Sequence, residues 1–322
     1  MLAVDGSKIR LPDTAELRKE FGKIRIKNQH GTGSYTGSLC SVLYDVLNEI
    51  VVDGILAPGN ASEISLAKDH LQWCKESDIV LFDRNYPGYE LFAGILASKA
   101  DFICRCPSNA FNVVKDFIAN PDIDDTLVTL TPSKDLKSKV LQGELPEQLT
   151  VRLIKIPLST GETEILATSL LDQQQYPISD FKELYALRWN VETLFDRFKN
   201  RLALENFTGY SIEAVKQDFY STVLISNVES ELTAQANQEL KEKQSDNKYQ
   251  QKVNKTISFN LIKHHAMDLI FDSKIKYKIL VKKLNELFKQ NPIPIRNSRS
   301  APRDRSARRS LDFHRRTKKI VF

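Results

Sequence analysis

Residues 78–83, DIVLFD, are the most constraining stretch of this 322-residue chain. Four consecutive apolar side chains leave no polar face, so a strand built from them must be covered on both sides. Strands buried that way belong to parallel sheets flanked by helices. The run closes on Asp83, at the carboxyl edge of the strand, where open α/β sheets hold their ligands. An acid there is also an ordinary turn residue.

The neighbouring segments extend this pattern. LAVDGSKIRLP reads as a strand interrupted by Asp5, and residues 41–57, SVLYDVLNEIVVDGILA, as two more strands rich in Val, Ile and Leu. PGNASEISLAKDHLQWCKE opens with an Asn60 or Ser62 cap and repeats apolar residues at Ile64, Ala67, Leu71 and Cys74, which predicts a helix. GYELFAGILASK predicts another helix and DFICRC a short strand. From Pro107 to Asp172 the pattern becomes β-rich, with TLVTLTPS, LTVRLIKIPL and GETEILATSLL separated by Pro and Gly, and STGE suggesting a hairpin. Helices follow: one capped by Ser179 or Asp180, a second over 212–238 and a third within 257–289. The fold class is therefore α/β: a mixed sheet with flanking helices, interrupted by a β-rich insertion subdomain and followed by a helical C-terminal part and a basic tail. The divisions are a core first half at 1–106, the insertion at 107–172, a core second half at 173–238, a helical region at 239–291 and the tail at 292–322.

Composition excludes several classes. No apolar run approaches the ~18 residues that a membrane span needs, and MLAVDGSKIR is not a secretory leader. Cys40, Cys74, Cys104 and Cys106 lack zinc spacing and suit a reducing compartment. HGTGSYTGS is rich in glycine but has no P-loop lysine. Charge is uneven: residues 292–322 carry ten Lys/Arg against two Asp, a net +8, while the rest of the chain is at −3. A tail so rich in arginine and poor in apolar groups is expected to be flexible and to bind a polyanion.

Residues 185–199, YALRWNVETLFDRFK, hold a second constraint. Wound at ~100° per residue from Tyr185, Arg188 falls at about 300°, Glu192 at about 340° and Lys199 at about 320°. The four share a strip roughly 60° wide beside a buried face of Leu187, Val191, Leu194, Phe195 and Phe198. Chance on a solvated helix face can produce such a line. Asp5 is more pointed, because aspartate is disfavoured inside a strand and costly to bury, unless this amino terminus is frayed. If the first and fourth strands are neighbours, Asp5 and Asp83 converge, and Glu192 can join them from a helix packed on the sheet. Three carboxylates without His or Cys are hard ligands for Mg²⁺, with Mn²⁺ as a substitute. That donor set suits two-metal phosphoryl transfer, with Arg188 and Lys199 holding backbone phosphates.

With these residues in place, the chain resembles DDE transposases of the bacterial insertion-sequence family numbered four. Their Tyr-(2)-Arg-(3)-Glu-(6)-Lys signature is met by Tyr185, Arg188, Glu192 and Lys199, and AVDGS and LFDRNY resemble the family's two acidic motifs. The resemblance implies an RNase H-like core in which Asp5, Asp83 and Glu192 are catalytic and hold Mg²⁺, while Tyr185, Arg188 and Lys199 bind the terminal phosphate of DNA. It further implies cut-and-paste transposition: hydrolytic nicking at element ends, hairpin formation, then strand transfer by the 3′-hydroxyl. The implied partners are double-stranded transposon ends, target DNA and further copies of the chain in a synaptic complex, in a bacterial cytoplasm near the nucleoid and with no membrane.

The sequence departs from the family in two places. Asn85 stands where glycine is frequent, and the insertion has no tryptophan, so base stacking during hairpin formation would fall to Phe111, Phe117 or Tyr176. Trp189 beside the signature either packs against the insertion or stacks on an unpaired base. Two other functions share these features: a nuclease of the same fold without strand transfer, and a non-catalytic DNA-binding derivative acting as a repressor. Met1 stands four residues before Asp5, so an amino-terminal region carried by related transposases is expected to be missing here.

Overall fold

The computed structural model describes residues 1–28, 31–158, 161–243, 249–271 and 273–295. The STGE turn falls partly, and the arginine-rich run from 296 onward wholly, outside the described residues. The chain opens with β1 (Leu2–Arg10), α1 (Ala15–Phe21), β2 (Lys23–Asn28), β3 (Gly31–Asp45) and β4 (Ile50–Pro58). Next come α2 (Glu63–His70), β5 (Ile79–Phe82), α3 (Tyr89–Ala97) and β6 (Asp101–Arg105). The β-rich segment supplies α4 (Asn112–Ala119), β7 (Asp125–Leu130), α5 (Lys137–Leu141), β8 (Leu149–Pro157) and β9 (Thr163–Thr168). It leads into α6 (Ile178–Ala186), α7 (Trp189–Asp196) and α8 (Ile212–Glu242). The remainder is β10 (Gln251–Lys252), α9 (Lys255–His264), α10 (Ala266–Phe271), α11 (Lys274–Phe288) and β11 (Ile293–Pro294).

Nine strands form one mixed sheet in the order β2-β3-β1-β5-β6-β9-β8-β7, with β4 also paired to β3. β1, β5 and β6 run parallel, as DIVLFD predicts, and every other pairing in this sheet is antiparallel. Alternation along β1 divides its side chains between two cores. Ala3 packs with Val42, Leu81, Phe181, Val191 and Leu194 on the face covered by α6 to α8. Leu2 and Val4 pack with Val80, Phe82, Leu91 and Phe92 on the face covered by α3. β5 is thus buried from both sides, which its unbroken apolar run requires.

Several expectations are corrected. The strands of 107–172 do not close a sheet of their own, because β9 pairs with β6 and carries β8 and β7 onto the main sheet. Arg152, fully buried on β8, locks this extension: it forks onto Asp125 at 2.5 and 2.7 Å and donates to the Tyr176 carbonyl at 2.8 Å. α1 and β2 were not foreseen, and HGTGSYTGS lies largely within β3. Gly37 marks where β3 passes from β2 to β1 and β4; a Cβ there would stand 2.6 Å from Ile24 and 2.9 Å from the Ile9 carbonyl. The boundary at 238/239 falls inside α8, which continues because Leu240 still buries against Ile262 and Leu284. The single helix expected within 257–289 is three, and residues 293–294 of the expected tail pair with β10.

α8 joins the sheet to the C-terminal helices. Its Asn227 accepts from the Val51 N–H at 2.8 Å and donates to the Val51 carbonyl at 2.9 Å, completing strand bonds that β4 lacks on its outer side. Among the described residues no helix is long and apolar enough to cross a membrane.

Candidate active site

β1 and β5 are adjacent, with Leu2 opposite Val80 and Ala3 opposite Leu81. Carried two residues further, that register sets Asp5, midway along β1, level with Asp83, which directly follows the last residue of β5. The Asp83 carboxylate accepts from the Asn85 N–H at 2.7 Å, so the strand leaves through an Asx turn. Asn85 thereby contributes a bond that its backbone would make as any residue. Asp5 accepts from the Gly6 N–H at 2.8 Å. α7 lies on β1, burying Val191, Leu194 and Phe195 and leaving Glu192 half-exposed in its first turn.

The signature does not ride one regular helix. The chain breaks at Leu187–Arg188, where N–H groups bond carbonyls three residues back, and beyond α7 it widens into a π-helical turn over Arg197–Arg201. A wheel of constant step therefore misplaces the quartet. Tyr185 turns inward: it is buried, and its hydroxyl donates to the Phe82 carbonyl at 3.2 Å, bracing the strand that ends in Asp83. Arg188 is buried between the Tyr185 and Trp189 rings, with its guanidinium 4.6 Å from the Trp189 centroid, and donates to Glu192 at 2.9 Å. Lys199, in the wide turn, donates to the Ser7 hydroxyl at 2.6 Å and to the Lys8 carbonyl at 2.8 Å. Lys199 thus lies against the middle of β1, two residues beyond Asp5, and the Arg188 charge acts on Asp5.

Burial pushes the Asp5 carboxyl up from its ordinary 3.8 to about 7. The Gly6 N–H and Arg188 act against this, while Asp83 and Glu192 add to it. The Arg188 pKa is raised despite its burial, because Glu192, Tyr185 and Asp5 favour its charge. Among the described residues no three His, Cys, Asp or Glu side chains are gathered closely enough to hold a metal ion. Each of the three carboxylates accepts from a protein donor: Asp5 from Gly6, Asp83 from Asn85 and Glu192 from Arg188. Their chemistry nonetheless fits one: the donors are hard oxygens, and Asp5 is held towards its protonated form by burial and by neighbouring acids.

Two residues near this edge were missed. Glu63 opens α2 on the opposite face, and a Cβ on Gly6 would meet its Cγ at 3.2 Å and its Cδ at 3.3 Å. The available signal was Gly6 itself, since a glycine inside a strand marks a close approach. Tyr86 is fully buried, and its hydroxyl has no hydrogen-bond partner. A third unforeseen group, Ser41–His70–Asp53, is linked at 3.0 and 2.7 Å. Ser41 and His70 are fully buried, so this chain of bonds braces β3, α2 and β4 and offers no nucleophile to a substrate. The aromatics considered for base stacking are packed: Phe117 is buried under Lys155, and Phe111 and Tyr176 lie against the cores. Trp189, by contrast, is 45% exposed.

Comparison with known proteins gives this geometry a context. Residues 1–228 match the family described as Transposase DDE domain. A stretch of 152 residues, 45% of this chain, is 28% identical to the Sinorhizobium fredii protein named "Putative transposase y4zB" and covers 39% of it. In fold the chain is similar to piggyBac transposase, seen by cryo-EM in a synaptic complex with hairpin DNA, with a TM-score of 0.52 at 12% identity. That likeness spans 94% of this chain and 59% of the other, and at such identity it concerns fold alone. The chain thus spans less than two thirds of the length of each of these relatives. The family match takes in well over half of the chain, including Asp5, Asp83 and Glu192, and the chain belongs to the transposase DDE domain family.

Proposed function

We propose that this chain is the catalytic core of a DNA transposase of the insertion-sequence family numbered four, acting by metal-dependent cut-and-paste chemistry. The observation that carries the reading is Asp5 level with Asp83 on neighbouring parallel strands, with the Glu192 helix packed on β1. The strand order β4-β3-β1-β5-β6, antiparallel then parallel, supports an RNase H-like core. Asp5, Asp83 and Glu192 would hold Mg²⁺ or Mn²⁺. Bound divalent ions would activate the attacking oxygen and steady the leaving one.

The protein's own groups do the rest. The Asx turn after β5 and the Tyr185 bond to Phe82 hold Asp83 at the sheet edge. Arg188 and Lys199 would engage the phosphate next to the scissile bond, and Arg188 must exchange its Glu192 bond to do so. Tyr185 serves that phosphate through strand position, since its own hydroxyl is turned inward. Trp189 is the aromatic placed to stack on an unpaired base during hairpin formation. The basic run beyond residue 295 would hold flanking double-stranded DNA by charge, and copies of the chain would pair two element ends in a synaptic complex.

The test is divalent-metal-dependent cutting of linear DNA carrying the element's ends. Cutting that persists in Asp83→Asn would refute the assignment of the acids. Cutting without any joined product would leave a nuclease in place of a transposase, and end binding without cutting would leave a repressor.

A further inference from the structure

The three acids above all come from β1, β5 and the helix on one face of the sheet. Glu63 approaches the same edge from the other face. Its carboxyl carbon lies 3.3 Å from where the Cβ of a Gly6 side chain would stand, a close contact, directly after Asp5. A first-turn acid is favourable at any helix N-terminus, and α2 already has its cap from Ser62, which accepts from the Ser65 N–H at 3.3 Å. That preference explains an acid in the turn but not its seat against the β1 backbone.

Tyr86 supplies the independent observation. Its ring is fully buried, and among the described residues its hydroxyl has no hydrogen-bond partner, an unfavourable state for a buried polar group. Tyr86 is tied to the end of β5 by its N–H, which donates to the Asp83 carbonyl at 3.2 Å, and its hydroxyl feels the charges of Asp5, Glu63, Asp83 and Arg188. The Arg188 Nε, also buried, is likewise unmet. Two buried donors without a partner among the described residues, close to these acids, suit the water shell of a hydrated cation. Mg²⁺ and Mn²⁺ keep several water molecules when bound by few carboxylates, and those waters need acceptors and donors around them.

We infer that Glu63 is a fourth carboxylate of the divalent-cation site, packed over Gly6, and that with the Tyr86 hydroxyl it holds the cation's water shell. The inference rests on the reading of Asp5, Asp83 and Glu192 as that site. It assigns α2 a part in the chemistry, and it makes Gly6 the residue that admits Glu63 to the sheet edge.

Mn²⁺ binding to the full chain, followed by calorimetry and by the Mn²⁺-induced rise in melting temperature, tests both levels. Asp5→Asn should abolish measurable binding. Glu63→Gln should weaken it about tenfold, and Tyr86→Phe several-fold, the range for groups that act through bound water. The melting temperature without Mn²⁺ should be unchanged or higher in Glu63→Gln, because a repelling charge is removed. Unaltered Mn²⁺ affinity in Glu63→Gln, with binding lost in Asp5→Asn, would overturn the role of Glu63 alone. A lowered metal-free melting temperature with unaltered affinity would reduce Glu63 to a helix-end residue. Full Mn²⁺ affinity in Asp5→Asn would overturn the cation site itself.

Discussion

Two clusters of acids, buried or half-buried, flank α7, and they resolve their charge in opposite ways. At the junction of α8, α9 and the β3–β4 turn, Glu49 and Glu229 face Arg197 and Lys255. Lys255 sits 2.6 Å from Glu229 and 2.9 Å from Glu49, and Arg197 sits 2.8 Å from Glu49. Ser258 donates to Glu229 at 2.5 Å. Burial raises the Glu49 pKa, but Lys255 and Arg197 together outweigh it and hold the carboxyl down at about 2. Glu49 even occupies the left-handed region, at φ 57°, to keep this position in the turn. At the sheet edge burial wins, and Asp5 rises to about 7. The first cluster has a cation for each acid and is finished as a structural brace. The second has fewer cations than acids, the imbalance that the proposed divalent-ion site would relieve.

The largest way to sharpen this contrast is chemical. Glu192→Gln should reduce DNA cleavage by at least ~10³-fold, several kcal/mol of transition-state stabilisation, with folding intact by circular dichroism. Glu49→Gln, in the balanced cluster, should leave cleavage per folded molecule unchanged. Equal losses from both variants would erase the distinction between brace and site.

Stability should separate the clusters next. Lys255→Ala leaves Glu229, fully buried, without its cation, and urea unfolding should show a loss of about 3 kcal/mol. A loss below about 1 kcal/mol would mean that the brace is relieved by solvent.

The pH dependence of Asp5 has the reverse sign. Its folded pKa lies above its unfolded value, so its contribution to stability is full below about pH 4 and is lost as pH rises to about 7. With divalent ions chelated, Asp5→Asn should therefore be more stable than the parent by up to about 4 kcal/mol at pH 8, and the gap should close towards pH 4. A gap that does not change with pH would show that Asp5 is not strained by its charge.

The smallest effect concerns Lys199. Replacing it with Ala removes its bonds to Ser7 and Lys8 in the middle of β1. Joining of a precut end should slow a few-fold, about 1 kcal/mol for one charged phosphate contact, with melting temperature nearly unchanged. An unaltered joining rate would leave Lys199 as a purely structural tie.

Much of this was legible along the chain because the signals are local. DIVLFD declared a strand buried on both faces, and β5 lies between two parallel neighbours, with Asp83 following its last residue. The Ser62 cap and the apolar spacing after it announced α2, which begins at Glu63. α1, β2 and the first half of β3 escaped notice because their strand and helix lengths are set by pairing with one another and not by a strong apolar period.

The amino-acid sequence by itself determined the kind and order of most elements and the placement of Asp5, Asp83 and Glu192 on or beside them, since periodicity, caps and turn residues act within a few positions. Tertiary structure alone decided that β9 would pair with β6, that the signature would break and turn Tyr185 inward, and that Glu63 would come to rest against Gly6. The physical reason is range. Hydrogen-bonding and burial preferences are written residue by residue, whereas which acids share a field depends on strands and helices far apart in sequence meeting at one edge, where burial and like charge act together.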